Sequence, residues 1–463
     1  MSTTTLDVVN PYDLTVLDRI KLENWDAIDK YLADAERLFN SREKWLPTHK
    51  RIQILNNIAD KMQHRSDELA SLIAAEGGKP LIDSRVEVER AIAGIQLCVS
   101  QLNSDRGVEI PMDLTAAGAG RCAYVKKEPI GVVVAISAFN HPLNLIVHQV
   151  APAIAVGCPV LVKPALDTPL SCKVFVEIAR ESGLPDMWCQ LVLCDQLVAE
   201  KMVTDKRVSF LSFIGSAKVG WMLKSKLAPG TRCALEHGGV APVIVDDNVD
   251  IDTVVPSILK GGFYHSGQVC VSVQRVYVPI NTAREFALRL AKEAVQLIVG
   301  NATEEETQCG PLIRPTEVER VEKWVNEAVE EGAELITGGK KLSLTTYAPT
   351  VLLNPSKHSK VSEQEVFGPV VCIYSYDNLD EAISLANALP FAFQAAVYTE
   401  NMVTAQHCID NLDASAVMVN DHTAFRVDWM PFAGRKLSGY GTGGIGYTME
   451  DMTQTKMAVY KRQ

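Results

Sequence analysis

No apolar stretch in the 463-residue chain reaches the roughly 18 residues that a membrane-spanning helix needs; the nearest, Ile130 to Ala138, has the length of a strand. A membrane is therefore not an expected partner. A Lys/Arg cluster and any long block of like charge are also missing, and 56 acidic against 45 basic residues give a net charge of −11. Phosphate backbones are held by concentrated basic surfaces, so nucleic acid is excluded as a partner. Eleven cysteines are present without one Cys-x-x-Cys pair. That odd number fits reduced thiols rather than a disulfide framework or zinc cluster, and no metal site is expected. Met1 to Asp7 shows neither a basic nor an apolar leader segment, so no secretory signal is readable and the expected location is cytoplasmic. The acceptor-like Asn301-Ala302-Thr303 is then an accidental match. Low-complexity segments and internal repeats are absent as well. What is present, 47% apolar and 22% charged residues, is enough for two or three folded domains.

Two textures divide the chain. From Asp26 to about Asp105, Leu32, Ala35 and Leu38 recur at helical spacing, as do Ile54, Ile58 and Met62, which predicts several long amphipathic helices. From Gly131 onward, short β-branched runs alternate with helical stretches: Gly131 to Ser137, Val160 to Lys163, Leu191 to Cys194, Phe210 to Ile214 and Val243 to Val245. A second series follows near Arg275 to Pro279, Val370 to Tyr374, Ala396 to Thr399 and Ala416 to Asn420, with helices near 282–297 and 315–331. Such alternation implies parallel sheets with crossover helices, an α/β fold whose two layers meet at a cleft.

Gly439-Tyr-Gly-Thr-Gly-Gly444 spells a dinucleotide fingerprint but lacks the strand before it and the chain after it, and reads as a glycine-rich turn. A better anion site is Phe213-Ile-Gly-Ser-Ala-Lys-Val-Gly220, where an apolar strand runs into Gly215-Ser216 and a helix follows. Strand-Gly-Ser-helix is equally an ordinary cap. Cys270 closes a small-residue-rich run, Gly261-Gly-Phe-Tyr-His-Ser-Gly-Gln-Val-Cys270, though most free cysteines are buried hydrophobes.

Three further segments change the weight of that thiol: Leu235-Glu-His-Gly-Gly239, Ala138-Phe-Asn-His-Pro142 and Gln364-Glu-Val-Phe-Gly-Pro369. In this order, with Val9-Asn-Pro11, Glu76-Gly-Gly-Lys-Pro80, Glu128-Pro-Ile-Gly131, Gly157-Cys-Pro-Val-Leu-Val-Lys-Pro164 and Met430-Pro-Phe-Ala-Gly-Arg-Lys-Leu-Ser-Gly439, the chain resembles the aldehyde dehydrogenase superfamily over nearly its whole length. The resemblance implies a Rossmann-like cofactor domain (1–107 and 131–239), an α/β catalytic domain (240–437) and a small oligomerisation arm (108–130 and 438–463), hence a homodimer or homotetramer.

Oxidising an aldehyde by hydride transfer first requires a tetrahedral adduct, and the resemblance makes Cys270 its nucleophile. It assigns the adduct oxygen to the Asn140 amide and the Cys270 N–H, and the hydrolytic water to Glu236. A retained Glu236 implies release of a free acid rather than acyl transfer to coenzyme A. The cofactor implied is NAD or NADP, with Lys163 at the adenosine ribose, Gly215 and Ser216 at the pyrophosphate, and Glu365 and Phe367 at the nicotinamide riboside. Relatives that prefer NAD usually carry Glu three positions after the Lys, and this chain has Leu166, which relaxes discrimination against a 2′-phosphate.

For the substrate, Phe425-Arg-Val-Asp-Trp-Met-Pro-Phe432 is similar to the corresponding loop of lactaldehyde, sulfolactaldehyde and phosphonoacetaldehyde dehydrogenases. His141, His422 and Arg426, with Arg106 as a further candidate, then imply a small polar or anionic aldehyde. A bland alternative pairs Arg426 with Asp428 or Asp421 on its own loop. Val269, where some anion-selective relatives place a cation, keeps an uncharged 2-hydroxyaldehyde open. Rival readings are a semialdehyde dehydrogenase of the succinic semialdehyde type, a non-catalytic structural or binding protein on the same fold, and a cysteine hydrolase pairing Cys270 with His265 or His237.

Overall fold

The computed structural model describes residues 5–462, so the first part of the Met1 to Asp7 segment and residue 463 of the arm lie outside the described residues. The helical texture near the N-terminus resolves into Trp25–Asn40, Thr48–His64, Ser66–Gly77 and Leu81–Ser104. Leu32, Ala35, Leu38, Ile54, Ile58 and Met62 are all buried, as an apolar helical face requires. Asn24 opens the first helix by accepting the Ala27 N–H on its side chain.

Buried charges fasten these helices to the rest. Glu76 accepts the N–H groups of Leu170 and Ser171 and so caps Leu170–Glu181. Glu87 does the same for Asn144–Val156 through the N–H groups of Leu143 and Asn144, with its charge balanced by the fully buried Lys79. A carboxylate at a helix N-terminus meets unpaired donors and the positive end of the dipole, which is how these acids tolerate burial. The Glu-Gly-Gly-Lys-Pro motif is thus a structural tie behind the cleft.

Two larger sheets follow. The six-stranded one runs, in space, Gly439–Tyr440, Arg232–Glu236, Val208–Ile214, Val132–Ile136, Val160–Lys163, Cys189–Leu191. It is parallel except at the Gly439–Tyr440 edge. The seven-stranded one runs Glu334–Thr337, Thr350–Leu353, Val370–Tyr376, Val273–Pro279, Ala241–Val245, Gln394–Tyr398, Ala416–Val419, parallel except at the Glu334–Thr337 edge. Val133, Val134 and Ala135 have no exposed surface, because a parallel strand covered on both faces tolerates no polar alternation.

Two expectations shift. The strand expected at Leu191 to Cys194 lies earlier, at Cys189–Leu191, because the Leu193 N–H leaves the ladder for the Glu23 carboxylate. Residues 438–452, grouped with the arm on sequence, join the six-stranded layer: Gly439 pairs with Glu236, and Ile445 and Met449 of the helix Ile445–Asp451 are buried in the core beneath it. Gly444 precedes that helix, so the glycine run is a turn between strand and helix. The remaining C-terminal strand, Thr453–Lys461, pairs antiparallel with Arg121–Pro129, which pairs in turn with Val108–Ile110. Among the described residues no helix is long and apolar enough to cross a membrane.

Candidate active site

A cleft of about 680 Å³ is lined from both larger sheets. Val132–Ile136 is flanked by Val160–Lys163 on one side and Val208–Ile214 on the other, so the strand order reverses there. Crevices at the carboxyl ends of strands beside such a reversal are where open α/β sheets hold ligands. Those ends deliver Asn140, Lys163, Gly215, Ser216 and Glu236 to the cleft, and the opposite sheet delivers Cys270, Glu365, Phe367, His422 and Arg426.

Cys270 is placed by a strained loop. After the helix Ile251–Phe263, His265 and Ser266 take φ values of 47° and 54° and Gly267 takes 70°. A Cβ on Gly267 would lie 2.1 Å from the Gly368 carbonyl oxygen, so only glycine fits. Gln268 then locks the loop by accepting the Ile313 N–H and donating to the Pro311 carbonyl. Its own carbonyl accepts Asn140 Nδ2 at 2.9 Å, which brings the amide beside the thiol's loop. The Cys270 carbonyl accepts the Gly239 N–H. Burial is the main cause that pushes the Cys270 thiol up; the Glu236 and Glu365 carboxylates add to this and Arg426 opposes it.

Glu236 ends its strand with Oε1 3.3 Å from Arg426 Nη1. Burial raises its pKa and Arg426 opposes the rise. The Arg426 guanidinium lies 3.6 Å over the Phe432 ring, its Nη2 is 3.5 Å from His148 Nδ1, and its Nε is buried without a partner. The alternative ion pair of Arg426 with Asp428 or Asp421 does not form. Asp428 accepts both ends of the Arg90 fork at 3.1 and 2.7 Å, together with His148 Nε2 and Asn144 Nδ2. Asp421 instead accepts the His422 N–H. His148 and Arg90 hold the Asp428 carboxyl well below the usual range despite its burial. Burial, with Arg426 beside it, pushes His148 down to about 4. A neutral ring donating from Nε2 to Asp428 keeps an Nδ1 lone pair toward Arg426.

Gln274 brackets the Glu365 segment, accepting the Val366 N–H and donating to the Gln364 carbonyl. A Cβ on Gly238 would sit 1.7 Å from Glu365 Oε1, so that turn must be bare for the carboxylate to enter. Burial pushes Glu365 up to about 8, and its Oε1 has no partner. Phe367, at φ 47°, meets Phe139 edge-on with centroids 5.7 Å apart.

Toward the other end, Lys163 is 8% exposed and its ammonium donates only to the neighbouring Pro164 carbonyl at 3.3 Å. Ser216 precedes the helix Ala217–Lys224 with its side chain uncommitted to the cap. A free ammonium, a free hydroxyl at a helix N-terminus and an orphaned carboxylate oxygen fit an extended ligand carrying phosphates and hydroxyls. Beside Leu166, Asp167 is paired with Arg314.

His141 lines the cleft with Nε2 3.5 Å from the Tyr264 hydroxyl, and burial drives its pKa well down. His422 also lines it, with Nδ1 unpartnered. Arg106 is not brought in: it is exposed beyond the end of Leu81–Ser104 and outside the lining. Arg90, on that same helix, lines the cleft with Asp83 and Val86. Their helical spacing was the available signal, since positions 83, 86 and 90 share one face. Of the histidines required for a hydrolase, His237 engages the Gly215 carbonyl through Nδ1 and both His265 ring nitrogens are without partners.

Residues 1–458 match the aldehyde dehydrogenase family. The chain is 36% identical to a 3-sulfolactaldehyde dehydrogenase of Priestia aryabhattai, covering 98% of this chain and 94% of that one. It is 35% identical to a lactaldehyde dehydrogenase of Methanocaldococcus jannaschii, covering 99% and 97%. Among solved structures, an aldehyde dehydrogenase from Physcomitrella patens in complex with the reaction product succinate superposes with a TM-score of 0.95 at 34% identity, over 99% and 95% of the two chains. A glyceraldehyde-3-phosphate dehydrogenase from Methanocaldococcus jannaschii complexed with NADP gives 0.94 at 35% identity, over 98% and 99%.

Proposed function

Because the chain belongs to the aldehyde dehydrogenase family and is thus an oxidoreductase acting on aldehydes, we propose that it is a non-acylating, NAD(P)-dependent enzyme converting a small polar or anionic aldehyde to its carboxylic acid. Cys270, as thiolate, adds to the carbonyl carbon, and the Asn140 amide and Cys270 N–H stabilise the oxygen that becomes negative. A bound dinucleotide supplies the hydride acceptor. The Cys270 thioester is then cleaved by water that gives its proton to Glu236, releasing the acid and the thiol.

Lys163, Gly215 and Ser216 are the residues to hold the adenosine and pyrophosphate, and Glu365 and Phe367 the nicotinamide riboside. At the ribose, Leu166 offers no carboxylate and Asp167 is already neutralised by Arg314, so a 2′-phosphate meets little repulsion. NADP is therefore accepted, with NAD as the alternative cofactor; the superposed Methanocaldococcus jannaschii structure holds NADP.

The observation that carries the substrate class is Arg426, a nearly buried guanidinium at the catalytic end whose Nε lacks a partner. Arg90, His141 and His422 line the same region. Carboxylate, sulfonate or phosphonate groups satisfy such a fork. A semialdehyde with a distal carboxylate is the second reading, favoured by the succinate-bound relative. The presence of Cys270, Asn140 and Glu236 in one cleft weighs against a non-catalytic role. Assembly as a homodimer or homotetramer is proposed through the strand Thr453–Lys461, where Met457 and Tyr460 are exposed beside Tyr124; a cytoplasmic location is proposed with it.

Initial rates of dinucleotide reduction test this reading over lactaldehyde, glycolaldehyde, succinic semialdehyde, sulfo- and phosphonoacetaldehyde and propanal, each with NAD and NADP. The charged or hydroxylated members should exceed propanal in kcat/KM by about tenfold or more. A preference for propanal would contradict the assigned substrate class.

A further inference from the structure

Arg426 faces two demands. Its Nη1 lies 3.3 Å from Glu236 Oε1, while its Nε is buried with nothing to bond. The guanidinium carbon lies 3.6 Å over the Phe432 ring, a cation–π contact that keeps the group at the catalytic end. We infer that Arg426 is a positioning residue that restrains Glu236 as a base until an anionic substrate draws its charge away, so that the hydrolytic step answers to the charge of the acyl group. The inference rests on the proposed binding of an anion by Arg426 and adds a consequence for Glu236.

The physical basis is one charge beside another. A cation in contact with a carboxylate lowers its pKa by about 1–3 units, which makes Glu236 a weaker acceptor for the proton of the attacking water. An anion on Arg426 offsets that cation and returns Glu236 toward the higher value that its burial favours. The other groups near Glu236 do not replace the effect. His148, on the helix Asn144–Val156, is neutral and engaged with Asp428. Asp428 is balanced by Arg90. The Cys270 thiol is acylated during the step, and burial pushes Glu365 up to about 8, so it carries little charge at acidic pH. Arg426 is thus the cation in direct contact with the base.

The sign follows. Glu236 must be deprotonated to act, so the rate of acyl-enzyme hydrolysis falls as pH drops through its pKa. With a neutral acyl group, Arg426 stays on Glu236 and the acidic limb lies low. With an anionic acyl group the limb moves up, by about one pH unit, and the plateau above it rises.

The experiment is a pH profile of acyl-enzyme hydrolysis, followed by rapid quench after acylation of the full-length enzyme with its dinucleotide, using sulfoacetaldehyde and propanal in parallel. The comparison of two aldehydes on the parent enzyme needs no variant. Arg426→Gln should merge the two limbs at the higher pH, and Arg426→Lys should restore a separation. Coincident limbs in the parent, with KM for sulfoacetaldehyde still raised in Arg426→Gln, would overturn the restraint while leaving anion binding intact. Coincident limbs with equal KM effects on both aldehydes would overturn both.

Discussion

Lys163 and Ser216, at one end of the cleft, keep their polar groups almost uncommitted, whereas at the other end Arg90, Asp428, His148, Arg426 and Glu236 form one continuous run of contacts. The first end is a set of donors and an ammonium standing ready for a ligand. The second is nearly neutralised within itself, and a substrate entering it must compete with an existing partner. The difference separates what binding asks of a site from what catalysis asks. A dinucleotide is held by groups free in the resting protein, while the charges around a reacting carbon are held still by their neighbours so that little reorganisation accompanies the step.

Changes at the catalytic end should be the more severe. Glu236→Gln removes the water-activating carboxylate and should slow acyl-enzyme hydrolysis by about a hundredfold or more, with a burst of reduced dinucleotide before slow turnover. Stopped-flow absorbance checks this; turnover at the parent rate would assign the water to another group. Next comes Asp428→Ala, which strands Arg90 and His148 in the interior. Unfolding in urea should show a loss of about 3 kcal/mol or more, because one half of a buried pair is left uncompensated. Arg314→Ala, which breaks the exposed Asp167 pair at the dinucleotide end, should cost about 1 kcal/mol or less. Equal losses would erase the contrast between the two ends. The smallest effect is expected from Leu166→Glu, which places a carboxylate beside Lys163 and should lower kcat/KM with NADP relative to NAD by about threefold. An unchanged ratio would move the 2′-position elsewhere.

The same contrast explains what the sequence made legible. Lys163, Gly215, Ser216, Asn140 and Glu236 sit at or just beyond strand ends, and a strand end is readable wherever a β-branched run stops at Gly, Asn or Pro. Cys270 carried no local signal stronger than its small-residue approach, and only the ordered neighbouring segments singled it out. The pairing at the catalytic end was not readable. Arg90 and Asp428 are 338 positions apart, and Arg426 and Glu236 are 190 apart. The alternative reading of Arg426 looks to acids on its own loop, whereas the fold brings it Glu236 from the other sheet and gives Asp428 to another arginine. Arg106 is a candidate on sequence and Arg90 is missed for the same reason: the helix end is visible, but which face of the helix meets the cleft is not. Residues 438–452 were grouped with the arm because a short edge strand such as Gly439–Tyr440 has too little pattern to announce its partner.

The central claim is covalent chemistry at Cys270, and the most direct measurement is mass spectrometry of the Glu236→Gln enzyme quenched in acid after mixing with dinucleotide and a preferred aldehyde. The account predicts an adduct equal to the aldehyde less two hydrogens, mapped to the peptide that contains Cys270 and removed by hydroxylamine. Reduced dinucleotide formed without any adduct, or an adduct on a different cysteine, would contradict it.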